Sequence, residues 1–259
     1  MSGSAVIVVA GGKGGVGTTT VAALLAVAAA VAGRRTLVVD GDGRVGALQL
    51  MFGAVPRSLG ELRGGALAAV DLVTPIAATL HVAPGAAADV EGVPPAEARA
   101  LGLRVAELYD GYELVVVDAG SSMQGVLGAC AQAEARGGQL MVVTTGDTIA
   151  AAAGYALLKL AAARYPTLEA RVVANRHDDR AGADALASSA ASHFLGREAP
   201  VAIAVPDDAL LARAVGAGMT VQDAADGSPA AHAVADATLR LLDQLTHRTN
   251  RAARPAHAS

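Results

Sequence analysis

Residues 9–20 read Val-Ala-Gly-Gly-Lys-Gly-Gly-Val-Gly-Thr-Thr-Thr, a run of small residues carrying one lysine and ending in three hydroxyls. Glycines at this density let a backbone fold tightly, so that successive N–H groups converge on an anion. The run follows an apolar stretch, Ala5–Ala10, and opens an Ala/Leu-rich one, Thr19–Ala32. That placement puts a helix N-terminus, with its dipole and unpaired donors, at the same anion. A hydroxyl in the first helical turn, at Thr19, suits a Mg²⁺ held by phosphate oxygens. Two spacings compete. As G-x-x-x-x-G-K-[ST] the loop runs from Gly12 through Gly17 to Thr19, with Thr18 where lysine is expected. As G-x-G-x-x-G it uses Gly12, Gly14 and Gly17, and Asp40 then stands where a dinucleotide fold places its ribose-binding acid. Lys13 between the first two glycines, the hydroxyls of Thr18, Thr19 and Thr20, and a second apolar run ending in Asp118 favour the metal–triphosphate reading. An NAD(P)-binding oxidoreductase is the alternative.

These residues need a frame, and the chain alternates β-branched runs with Ala/Leu-rich ones, the pattern of parallel strands joined by crossover helices. Strands are expected at Ala5–Ala10, Thr36–Asp40, Leu80–Ala83, Leu114–Asp118, Leu140–Thr144, Arg171–Asn175 and Val201–Val205. Helices are expected at Thr19–Ala32, Pro95–Tyr109, Met123–Arg136, Thr148–Ala163, Ala183–Leu195, Asp207–Val215 and Pro229–Leu245. The implied architecture is α/β, a doubly wound and mostly parallel sheet with helices on both faces. Ligands of such sheets sit at the C-terminal strand ends. One domain is expected over residues 1–247, followed by a basic, Pro-containing tail at 248–259.

Composition narrows the function classes. With 53% hydrophobic and 17% charged residues among 259, the chain can bury a sizeable core. Its longest apolar run, Val21–Ala32, is too short to span a bilayer. The N-terminus lacks the basic region of a signal peptide. Cys130 is the only cysteine, so no internal disulfide forms, and a reducing, cytoplasmic compartment is expected. Net charge of −4 gives no reason to expect a specific nucleic-acid partner. The histidines show no ligand spacing, which leaves Mg²⁺ on the nucleotide as the expected metal. Lysine occurs only at Lys13 and Lys159 in an otherwise Arg-rich chain, so its presence in the glycine loop asks for a reason.

Gly12-Lys-Gly-Gly-Val-Gly-Thr-Thr19 resembles the phosphate loop of the MinD/ParA group of deviant-Walker ATPases, a branch of the P-loop NTPases. Val38-Val-Asp-Gly-Asp42 resembles that group's switch I, and Tyr112-Glu-Leu-Val-Val-Val-Asp118 its Walker B strand entering switch II. Thr144-Thr-Gly-Asp-Thr148, Tyr155-Ala-Leu-Leu-Lys159 and Val205-Pro-Asp-Asp208 continue the likeness in order. Leu59-Gly-Glu-Leu62 and His81-Val-Ala-Pro-Gly85 look most like FlhG-type members, which regulate flagellar number.

The resemblance implies that ATP or ADP with Mg²⁺ is bound by the whole loop, Gly12, Lys13, Gly14, Gly15, Val16, Gly17, Thr18, Thr19 and Thr20. Lys13 would reach a partner subunit's phosphates in an ATP-bound homodimer, Asp42 would position the attacking water, and Thr20 would hold the α-phosphate. Thr19, Asp40 and Asp118 would serve the metal. Asn175 would contact adenine, with Arg176, Pro206, Asp207 and Asp208 on the base side. A polar or membrane-associated protein partner is implied as well, at the inner face of the membrane. The C-terminal Leu239-Arg-Leu-Leu-Asp-Gln-Leu245 lacks the aromatic residues and dense basic face of a membrane anchor, so it reads as core rather than as a direct membrane contact.

Departures from the pattern are specific. Thr18 replaces the usual loop lysine, as in the CpaE/TadZ-like branch devoted to pilus assembly and localisation. Ala47 and Gln49 stand for the frequent Asn and Asp of switch I, and switch II reads Asp118-Ala-Gly-Ser-Ser. Loss of a charged donor at such a site costs about 10²–10³ in rate, so a weak ATPase or a non-hydrolysing scaffold is expected. Asn175-Arg-His-Asp178 also resembles the guanine-reading Asn-Lys-x-Asp, which keeps GTP as the alternative to ATP.

Overall fold

The strands form where β-branched and apolar residues are densest, because a strand buried on both faces must be apolar throughout. The structure, a computed structural model, describes residues 4–42, 46–63, 65–85, 94–177 and 200–252. Its strands are β1 (Ala5–Gly11), β2 (Thr36–Asp40), β3 (Thr74–Ala77), β4 (Leu80–Pro84), β5 (Leu114–Gly120), β6 (Gln139–Thr144), β7 (Glu169–Asn175) and β8 (Val201–Val205). They join in one sheet of order β3-β4-β2-β5-β1-β6-β7-β8. Every pairing is parallel except β3 with β4. This is the doubly wound architecture expected.

The helices are α1 (Thr18–Val31), α2 (Ala47–Met51), α3 (Pro95–Ala106), α4 (Met123–Ala135), α5 (Thr148–Arg164), α6 (Ala209–Gly216), α7 (Val221–Ala224) and α8 (Pro229–Ala252). Alternating strand residues divide the core in two. Val6, Val8, Leu37, Val115, Val117 and Leu140 face α3, α4 and α5. Ile7, Val9, Val38, Val116, Met141 and Val143 face α1 and α8. Each fully buried aliphatic side chain contributes about 1.5–3 kcal/mol, so the two layers together hold the sheet rigid behind its C-terminal edge.

Each strand expected from the sequence forms, and four differences have plain causes. Strand β3 was not expected: it is short, contains Pro75, and exists only as the antiparallel partner of β4. The helix expected at Pro95–Tyr109 stops at Ala106, and a 3-10 turn at Tyr109–Gly111 carries the chain into β5. The helix expected from Asp207 starts at Ala209, because the Asp208 side chain caps it. Helix α8 continues to Ala252, into the segment expected as a tail. The expected helix Ala183–Leu195, Asp178 and residues 253–259 lie outside the described residues.

Candidate functional site

The register of the sheet brings the candidate residues together. Strand β1 lies between β5 and β6, with β2 next to β5. In the β2–β5 ladder Asp40 stands directly beside Asp118, and in the β1–β5 ladder Asp118 stands beside Val9. Asp40 closes β2 and Asp118 lies two residues before the end of β5, so the two acids stand close to where β1 runs into the glycine loop.

The loop leaves β1 at Gly11 and turns through Gly15 (φ 81°) and Gly17 (φ 93°), left-handed conformations that disfavour side chains. Gly12 lies against the backbone of α5, where an added Cβ would stand 2.1 Å from the carbonyl carbon of Ala153. Lys13 pairs with Asp147, Nζ to Oδ2 at 3.1 Å, both side chains being part-exposed. The hydrogen bond from Lys13 and one from the Ile149 N–H hold the Asp147 carboxyl below its ordinary range. A Cβ added at Gly14 or Gly15 would face open space. Val16 is buried, and its carbonyl accepts a 2.8 Å hydrogen bond from Asn175 Nδ2.

Thr18 is buried, its hydroxyl tucked toward the end of β1 into space that the bare α-carbon of Gly11 leaves open. Thr19 donates its hydroxyl to Asp118, and Thr20 is half-buried on the same helical turn. Three acids face this turn. Burial pushes the Asp118 carboxyl from 3.8 up to about 7; hydrogen bonds from Thr19 and the Gly120 N–H oppose the rise, and Asp40 and Asp42 add to it. Oδ1 of Asp118 accepts from Gly120 N at 3.2 Å, whereas its buried Oδ2 has no hydrogen-bond partner among the described residues. Asp42 lies over Gly120 (φ 58°), where a Cβ would stand 2.5 Å from its Cγ. Gly41 donates to the Asp118 carbonyl at 2.7 Å and locks the two strand ends together. Buried Asp40 accepts from the Gln49 N–H at 3.4 Å. This is an electronegative cluster with one unsatisfied oxygen at the strand ends beside the glycine loop, although no three acids among the described residues stand close enough together to hold a metal by themselves.

On the β7–β8 side, Asn175 ends its strand, and exposed Arg176 adopts a left-handed φ of 56°. His177 then rejoins β8 through its N–H to the Val205 carbonyl at 2.9 Å. Pro206 lines a cavity of about 340 Å³ with His177, Ile203, Asp236 and Arg240. Asp207 is exposed. Asp208 caps α6 by accepting from Leu211 N at 2.9 Å and from Ser228 Oγ at 2.7 Å, so its carboxylate belongs to the joint between α6 and α8. A larger cavity, about 680 Å³, lies against α3 and α4 and includes no residue of the glycine loop.

Residues 7–221 match the family described as the CobQ/CobB/MinD/ParA nucleotide binding domain. The chain belongs to this family. Solved structures agree with the assignment at the level of fold. The septum site-determining protein MinD of Pyrococcus horikoshii, complexed with Mg-ADP, superposes with a TM-score of 0.75 at 21% identity, covering 95% of this chain and 98% of that one. A chain of the MinC:MinD cell division protein complex of Aquifex aeolicus gives 0.72 at 19%, with 93% and 96% covered. A Cyanothece McdA variant complexed with ATP gives 0.70 at 17%, with 94% and 98% covered. No curated protein matches the sequence.

Within this member of the family, sequence reasoning missed three site features. Asp147 was seen as part of a motif but not as the partner of Lys13; an Asp just before Thr148 signals a helix cap, and Asp147 does cap α5. Gln49, a departure from the pattern, is buried and clasps the Arg57 backbone from both sides, accepting from N at 2.8 Å and donating to O at 3.1 Å. The link from Asn175 to Val16 joins residues 159 apart, and nothing local in the sequence announces it.

Proposed function

We propose that the chain is an ATP-dependent dimerising switch that binds ATP and ADP with Mg²⁺ through the glycine loop. The observation that carries this reading is the unpartnered, buried Oδ2 of Asp118 beside the Thr19 hydroxyl and Asp40. A carboxylate kept in that state is costly unless a cation arrives. The residues fit Mg²⁺: Thr19 would hold it, with Asp40 and Asp118 supporting it through water. When bound, Mg²⁺ neutralises the charge of the phosphate oxygens. The N–H groups of Gly14, Gly15 and Gly17 bind and orient the phosphates, Thr20 holds the α-phosphate, and Asp42, resting on Gly120, positions a water. Asn175, Arg176 and Pro206 flank the base, with Asp207 and Asp208 behind them. The buried position of Asp40, beside Asp118 rather than at an open rim, speaks against the dinucleotide alternative.

Lys13 sits at the loop's outer surface on a weak ion pair, free to leave Asp147 for a partner subunit's phosphates. The likeness of Leu59-Gly-Glu-Leu62 and His81–Gly85 to FlhG-type members supports a role in placing or counting a surface structure such as a flagellum or pilus, with a polar or membrane-associated protein as partner. One observation favours a second reading, a non-hydrolysing scaffold: Thr18 brings no charge and turns its hydroxyl inward, so the lysine usual just before Thr19 is not there to meet the β/γ-phosphates.

Calorimetry with ATP, ADP, GTP and NAD, each with and without Mg²⁺, combined with phosphate release, tests both. Mg²⁺-dependent ATP binding with release supports the switch; binding without release, unchanged by Thr18→Lys, supports the scaffold. NAD binding alone sinks the loop reading. Dimers that persist in Lys13→Ala remove the role given to Lys13.

A further inference from the structure

Within the glycine loop the descending arm has little of its own to hold it. Gly17, the N-cap of α1, supplies no side-chain cap, and a Cβ added at Gly14 or Gly15 would meet open space. What fixes this arm comes from across the sheet. Asn175 Nδ2, 2.8 Å from the Val16 carbonyl oxygen, is buried at 8% exposure. Its mount is rigid: Asn175 pairs with Val205 in the β7–β8 ladder, and the next N–H but one, at His177, bonds the same Val205. Gly17 makes the approach possible, since a Cβ there would stand 2.2 Å from Asn175 Nδ2.

We infer that Asn175 is a positioning residue for the phosphate loop: its amide holds the Val16 carbonyl toward β7, away from the anion. A carbonyl is a dipole with its negative end outermost, and one that swung inward would face the phosphates and take the loop's N–H groups out of convergence. Asn175 therefore acts on phosphate binding whether or not it also touches a base. The inference rests on the nucleotide-binding reading for its effect on affinity, but the tether itself is a property of the ligand-free chain.

The test uses the chain with Asn175→Ala and Asn175→Leu, the second keeping the branched shape of the amide, somewhat bulkier, without its N–H. Hydrogen exchange of residues 12–20 is measured without ligand, and calorimetry compares Mg²⁺·ATP with Mg²⁺·tripolyphosphate, which has no base. Exchange in the loop accelerates about fivefold or more in both variants, while exchange in β5 stays as in the wild type. Affinity for tripolyphosphate falls about five- to tenfold, and affinity for ATP by at least as much. Unchanged loop exchange overturns the inference. So does a loss confined to ATP, which marks a base contact only. If Asn175→Ala loosens the whole chain, Asn175→Leu decides. If the wild type binds neither ligand, the nucleotide reading fails, and loop exchange alone rules on the tether.

Discussion

Asp118 and Arg176 both occupy states that cost the ligand-free protein stability. Asp118 has a folded pKa of about 7 against an ordinary 3.8, mainly through burial. Between those values the folded chain keeps the proton that the unfolded chain releases, so stability falls as pH rises from about 4 to about 7. Asp118→Asn removes that slope. Urea denaturation of the ligand-free chain at pH 8 is expected to show the variant more stable by roughly 2–4 kcal/mol, with the gap closing toward pH 4. A gap independent of pH would show that Asp118 is not the titrating group. Arg176 holds a φ of 56°, which glycine adopts without penalty. Arg176→Gly should raise stability by about 0.5–1 kcal/mol and weaken nucleotide binding; unchanged affinity removes Arg176 from the base side.

The elements show why some of the site was legible and some was not. The motif residues of β1, β2 and β5 announced themselves because each acid or glycine ends a run of apolar residues, and parallel pairing of neighbouring strands then aligns those ends. Asp40 and Asp118 became neighbours for that reason alone. Short elements were not legible: α2, α7 and β3 carry too few residues for a period, and β3 forms only because β4 offers an edge. Contacts between elements were hidden for a different reason. Lys13 with Asp147, Gly12 against Ala153, and Asn175 with Val16 all depend on how α5 and β7 flank the loop, which no local pattern encodes. Asp147 illustrates the overlap of roles, as cap of α5 and partner of Lys13. In thermal melts Asp147→Asn should keep the cap and leave the midpoint near wild type, because exposed ion pairs contribute little. Asp147→Ala should lower it through loss of the cap. Equal melting of the two variants would mean that the cap carries nothing.

At the scale of the molecule, the site is as stable as the layer behind α1. That helix opens at the glycine loop and packs along its length on α8, whose Val234, Ala237 and Leu241 are buried in the same cluster as Leu24 and Leu25. Leu241→Ala leaves a cavity in this layer and should cost about 2–5 kcal/mol, read by urea denaturation. A cost under about 1 kcal/mol would mean that the layer collapses around the gap. No described helix is long and apolar enough to cross a membrane.

The antiparallel β3 has a bearing on solubility. It occupies one rim of the eight-stranded sheet, is four residues long, and presents exposed Pro75. Without it, that rim would be β4, a run whose backbone groups are ready to recruit another chain. A proline at the rim lacks an N–H and resists templated growth of the sheet into fibrils. Pro75→Val, folded as before, should raise light scattering on prolonged incubation at high protein concentration; scattering no greater than wild type would mean the rim is guarded elsewhere. In a chain with only 17% charged residues, this short strand guards one of the sheet's two rims, the other being β8.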